Sequence, residues 1–238
     1  MKTMSTNKEN YNQRLFKSGI RKWLHTSRFR FVSKALETID LDSLKITELG
    51  CFDGKLLDFI PIKRIEKYQG YDADWEGGLS EAKKRDWPEK IEFTKCKDSN
   101  DFLPSKDFNL FISLETLEHI NEEILESYLQ KVSEQISKNG YLLITVPNEI
   151  GPVFLIKFFL KRILHGKGYT YTLQELFWQM LGITSKVERN EHKGFSYKEL
   201  KILLDRYFSL ESSKGLPFKF LPKILNFSVS FIYRPKKS

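Results

Sequence analysis

Glu48, Gly50, Asp53 and Gly54 stand close together in the stretch Ile46-Thr-Glu-Leu-Gly-Cys-Phe-Asp-Gly54. Glycines at that spacing let a flat ligand lie against the backbone, because glycine has no Cβ to hold it off. The chemistry is that of a nucleoside site. A dinucleotide fold wants G-x-G-x-x-G around a pyrophosphate. Here Phe52 stands where the middle glycine would be, and the Glu48 carboxylate repels phosphate but can accept a hydrogen bond from an amino group. Both features argue against an NAD-dependent oxidoreductase. Asp72, about twenty residues on, suits the two hydroxyls of a ribose, with Asp74 a weaker competitor. Glu115, Glu118 and His119 form a second cluster. An imidazole there suits proton removal near neutral pH. The three side chains could instead hold a divalent metal, or simply cap their own loop. His192, near Phe195, is either a substrate-side group or a loop histidine tied to a carbonyl.

Strand and helix patterns must position these groups. Apolar runs at about 45–49, 67–72, 91–96, 108–113 and 141–146 read as strands. The last is a continuous apolar run, as in a strand buried on both faces. Helical patterns lie between them. Lys55 to Ile60 starts one; Asn121 caps another, which Asn139-Gly140 is expected to end as a left-handed cap. Ser196 caps a helix to about residue 207, and β-like runs follow near 208–213 and 226–233. Such alternation predicts an α/β fold with a parallel sheet and helices on both faces. The sites then fall at the carboxyl ends of the strands. Residues 148–195 break the pattern, with an apolar helix over 152–164 edged by Lys157 and Lys161, a Gly166-Lys-Gly168 hinge, and an aromatic stretch from Tyr169 to Leu181.

With the motifs in order, the sequence resembles the class I S-adenosylmethionine (SAM) dependent methyltransferases. Glu48-Leu-Gly-Cys-Phe-Asp-Gly54 is similar to their first motif, E/D-x-G-x-G-x-G, from which Phe52 departs. Asp98 to Leu103-Pro104, Phe108 to Ile120 with its Leu117-Glu-His119, and His192 to Leu200 resemble the later motifs. The resemblance covers about 44–148 and 191–232. It implies a Rossmann-like sheet, parallel with a final antiparallel strand, and a helical insertion after the fifth strand. It implies that Glu48, Gly50, Cys51, Asp53, Gly54, Asp72, Asp98, Ser99 and Leu114 bind SAM, with Asp98 on the adenine. Catalysis would fall to His119, Glu115 and Glu118, and substrate contact to His192 and Phe195. No metal is assigned. The insertion is similar in position to the lipid-facing insertion of quinone-biosynthesis O-methyltransferases.

Length bounds the rest: 238 residues suit one domain, read as 41–238 with an insertion at about 149–190, behind a basic helical cap over 1–40. The net charge of +8 lies in residues 1–34, where nine Lys and Arg face one acid, Glu9. The remainder is neutral. A basic segment of this kind meets an anionic partner. Together with 152–164 it would give two weak signals for an anionic membrane surface; the alternative is a helix covering the active site or a dimer contact. Cys51 and Cys96 form no disulfide framework and no metal-ligand spacing, which favours a reducing, cytoplasmic compartment, with peripheral attachment to the inner face of a membrane if the lipid reading holds. No secretory leader is read, and no run reaches the ~20 residues of a membrane span. The neutral core disfavours nucleic acid. The leading reading is methyl transfer from SAM to a small-molecule or lipid-linked acceptor, at oxygen, giving S-adenosylhomocysteine (SAH). A non-catalytic SAM- or lipid-binding protein recruited to membranes is the alternative.

Overall fold

The computed structural model describes residues 19–165, 170–190 and 192–236. Residues 1–18 of the basic cap and the expected Gly166–Gly168 hinge lie outside them. Seven strands form one sheet: β1 (Leu44–Leu49), β2 (Ile65–Asp72), β3 (Ile91–Lys95), β4 (Phe108–Leu114), β5 (Ile136–Pro147), β6 (Phe208–Leu216) and β7 (Ser228–Pro235). Their order is β3-β2-β1-β4-β5-β7-β6. β1 to β5 pair in parallel, and β7 runs antiparallel between β5 and β6. This is the expected sheet, with its final strand reversed.

Helices cover both faces because the central strands are apolar on both. α1 (Gly19–Leu36) buries Phe29, Val32, Ala35 and Leu36 against Leu44, Ile46 and Leu110 of the sheet. On the other face, α3 (Glu122–Gln135) and α6 (Tyr197–Tyr207) bury Leu125, Leu129, Val132, Leu200 and Leu204 against Phe111, Leu142 and Ile144. Asn121 caps α3 by accepting from Glu123 N, and Ser196 caps α6 by accepting from Lys198 N. The short α2 (Gly78–Lys83) follows β2. The insertion forms α4 (Gly151–His165) and α5 (Leu173–Leu181), the latter opened by a capping box between Thr172 and Glu175.

Two local expectations need correction. α3 stops at Gln135, and Asn139-Gly140 lies inside β5, with neither residue in the left-handed region. Ile136, in an extended conformation, already pairs with Phe108 of β4, so sheet pairing takes the chain three residues before the turn signal. Lys55–Phe59 is a 3-10 helix, not an α-helix. Among the described residues no helix is long and apolar enough to cross a membrane.

Candidate functional site

The carboxyl ends of β1, β2 and β4 build the site. After β1 the chain turns through Gly50 at φ +84 and Gly54 at φ +70, and between them Phe52 takes φ +46. The left-handed turn expected of a middle glycine is therefore made by a residue with a Cβ, a conformation that costs roughly 1–2 kcal/mol outside glycine. Asp72 helps hold it. Its Oδ2 accepts from Phe52 N at 2.9 Å, and its Oδ1 accepts from Asp74 N at 2.7 Å. The Phe52 ring also lies where a Cβ on Gly78 would sit. Gly50 N donates to Tyr71 O at 2.7 Å, and a Cβ on Gly50 would overlap the Thr116 side chain. The loop is thus closed on the end of β2 from below and against the β4 turn from the side.

Each carboxylate oxygen of Asp72 keeps a lone pair free for a diol after accepting one backbone N–H. Burial raises the Asp72 carboxyl above its usual range, while the two N–H bonds work against that shift. Glu48 is buried at 2 % exposure under the loop, where it accepts from the Tyr68 hydroxyl. Burial lifts its pKa to about 8. Cys51 and Leu114 are buried beside it, and Asp53 accepts from Lys55 N. Asp98 and Ser99 lie in the loop after β3, just beyond Cys96, whose N donates to Asp72 O. Asp98 is exposed and accepts from Asn100 N, and Lys131 donates to the carbonyl oxygens of Ser99 and Phe102.

The second cluster opens at the end of β4. Glu115 sits at φ +57, and burial raises its carboxyl. Glu118, 1 % exposed, has both carboxylate oxygens buried without a hydrogen-bond partner among the described residues. Burial, then the nearby Glu115 charge, push its pKa well up. His119 Nε2 lies 3.7 Å from Glu118 Oε1, and the His119 and His192 rings meet edge to face at 4.7 Å. Residues about seventy apart in sequence are thereby brought together. Burial, then the charges of His119, Lys157, Lys161 and Arg189, lower His192 to about 3, so it is a neutral imidazole at pH 7. Donor atoms of Glu118, His119 and His192 all lie within 4.8 Å of one another. One carboxylate and two imidazoles suit a divalent transition ion. Glu115, grouped with Glu118 and His119 in the sequence reading, is replaced in this trio by His192. Phe195 is buried in the main core beneath Arg189.

Several participants carry no sequence signal. Arg189 donates to Glu118 O at 2.7 Å. Gln179 of α5, fully buried, donates to Glu149 O and Phe195 O and accepts from Gly194 N, fastening the insertion to the His192 loop. Lys157 of α4 pairs with Glu149 at 2.6 Å. Arg28 of α1 lies close enough to Glu48, Glu115 and Glu118 for its charge to favour their ionised forms. The polar spacing of α1 gives no hint of this, because the helix reads only as basic.

No protein-family model matches the chain, and no curated protein does. Solved structures do. A SAM-dependent methyltransferase from Clostridium acetobutylicum ATCC 824 superposes with a TM-score of 0.63, at 13 % identity over 95 % of this chain and 99 % of that one. The methyltransferase domain of bacterial CtHen1 gives 0.61, at 16 % identity over 89 % and 99 %. The N-methyltransferase NodS from Bradyrhizobium japonicum WM9, in complex with SAH, gives 0.58, at 11 % identity over 94 % and 91 %. At these identities the likeness is one of fold: the chain has the Rossmann-like fold of SAM-dependent methyltransferases.

Proposed function

We propose that this chain is an enzyme that moves the methyl group of SAM to an oxygen of a small-molecule or lipid-linked acceptor. The observation that carries the reading is the Gly50–Gly54 loop, closed onto an Asp72 carboxylate with lone pairs to spare. SAM, when bound, supplies a methyl group on a positive sulfur, so the protein has mainly to orient and to take a proton. Asp72 would take the ribose hydroxyls, with the loop backbone along the nucleoside. Glu115 and His119, after β4, would stand toward the reacting end of the cofactor. His119 would accept the acceptor's hydroxyl proton, and near-attack distances of roughly 3–3.5 Å would be set by the surrounding side chains. NodS is an N-methyltransferase, so the shared fold leaves the acceptor atom open. The oxygen reading rests on the base beside two buried carboxyls.

Calorimetric titration with SAM, SAH and NAD tests the assignment. Micromolar binding of the two adenosyl compounds, with none of NAD, is the expected result. NAD binding without SAH binding overturns it. Transfer of labelled methyl from SAM to a lipid or small-molecule extract then separates an enzyme from a non-catalytic binder.

One observation favours a lipid contact in addition. Ile156, Phe159, Leu160 and Ile163 form an exposed stripe along α4 at i, i+3, i+4, i+7 spacing, and Leu173, Phe177 and Leu181 expose another on α5. Ile163 is 78 % and Leu173 89 % exposed, and exposed Lys161 and Arg162 flank the first stripe. Clustered apolar exposure with a cationic edge suits the surface of an anionic bilayer. Sedimentation with phosphatidylglycerol vesicles, absent with phosphatidylcholine and lost in Phe159→Ser/Ile163→Ser, is the result this reading expects.

A further inference from the structure

A cavity of about 180 Å³ opens between α1, the ends of β4 and β5, and the β6–β7 side of the sheet. Leu24, His25, Ser27 and Arg28 of α1 form one wall, and Glu115, Lys157 and Ser228 face them. It is distinct from the larger hollow, about 420 Å³, at the opposite end of the strands, whose Lys45 and Glu66 already pair with each other.

The charges in the smaller cavity are unbalanced in one place. Lys157 is neutralised by Glu149. Glu115 lines the cavity with its Oε1 buried and without a hydrogen-bond partner among the described residues, and burial raises its carboxyl above the usual range. Arg28 has no ion pair among the described residues, and its Nε is buried without a partner. Its guanidinium lies over the Phe29 ring, at 5.1 Å to the centroid. A buried Nε–H with nothing to accept from it is costly, and the planar guanidinium fork that carries it fits an oxyanion best.

Strand order says whose oxyanion it is. On the reading above, adenosine covers the β3-β2-β1 half of the sheet. The cavity lies beyond β4, at the ends of β5 and β7, on the acceptor's side. Deepening the proposed function, and resting on it, we infer that the methyl acceptor carries an anionic group, a carboxylate or phosphate, seated in this cavity on the guanidinium of Arg28. Arg28 is then a specificity-determining residue, and α1 is part of the active site.

The test uses the full chain and two pairs of probes, each with and without saturating SAH. Benzoate is compared with neutral benzamide, and inorganic phosphate with chloride, by thermal melting and calorimetry. The expected result is saturable binding of benzoate or phosphate that coexists with SAH, weakened at least tenfold in Arg28→Gln and partly kept in Arg28→Lys. SAH affinity in both variants stays within threefold of the unmodified chain. Equal binding of benzoate and benzamide to the unmodified chain overturns the inference without any variant. So does Arg28→Gln weakening SAH while leaving 5′-methylthioadenosine, which lacks the carboxylate, unaffected: the cation would then serve the cofactor's own amino-acid end. Failure of the unmodified chain to bind SAH would instead sink the proposed function, and it reads out separately from the anion arms.

Discussion

Asp72→Asn removes one carboxylate acceptor and the charge while leaving shape almost unchanged. In the structure the two Asp72 oxygens accept from Phe52 N and Asp74 N. An amide can keep only one of these bonds. If the retained oxygen stays on Asp74, the amide nitrogen faces Phe52 N–H and leaves it orphaned, at a cost of about 1–3 kcal/mol. That N–H belongs to the one non-glycine residue of the loop held in the left-handed region, so the loop loses its tether where it is strained. The ribose loses a charge-assisted acceptor worth about 1.5–3 kcal/mol in addition. Taking about 3 kcal/mol as the part expressed in binding, SAH affinity should fall roughly 100-fold, since 1.4 kcal/mol is a factor of ten. The melting temperature should fall as well, reporting the orphaned N–H. The Asp72 carboxyl titrates above its usual range and acts in its ionised form, so SAH affinity of the unmodified chain should drop as pH falls through that raised value. The variant should lack this dependence. Calorimetry at two pH values measures all three. SAH binding by Asp72→Asn within threefold of the unmodified chain, with an unchanged melting curve, would refute the account of the loop.

Gly50→Ala should abolish SAH binding and lower the melting temperature, because its Cβ would overlap Thr116 and its φ is +84; a melting scan with and without SAH checks it. Burial holds the Glu48 proton to about pH 8 against an ordinary value of 4.5. A raised folded pKa gives stability that is full below the unfolded pKa and lost as pH rises through the folded one. Glu48→Gln should therefore flatten the decline in stability between about pH 4.5 and 8, and denaturant melts across that window read it. Zinc(II) added to the full chain should raise the melting temperature through Glu118, His119 and His192, occupying the imidazole that would otherwise serve as base, and Glu118→Gln should cancel the rise. No rise in the unmodified chain would leave the trio an acid–base cluster only.

Much of the fold is legible in the sequence because local and global signals agree there. The apolar run at 141–146 is a central strand, and Asn121 and Ser196 cap the helices that follow them. The signal fails where tertiary pairing competes with a turn residue. Asn139-Gly140 is a good helix stop in isolation, but Ile136 gains a β4 partner before the chain reaches it. In the site, Gly50, Asp72, Glu118 and His119 are readable from spacing, and His192 joins them in space. Phe52 misleads only as a letter, since its backbone makes the left-handed turn that the pattern expects of glycine. What no periodicity could show is the inward turn of Arg28 and the burial of Glu48 against Tyr68, because both depend on which neighbours close over them.

Gln179 fixes how this molecule can open. Three hydrogen bonds from one fully buried amide join α5 to the backbone at Glu149, Gly194 and Phe195. An amide so placed cannot slide; each bond broken without water to replace it leaves a stranded polar group. The two-helix insertion is therefore hinged to the same backbone that carries His192, and swinging it away would dismantle the base cluster in the same motion.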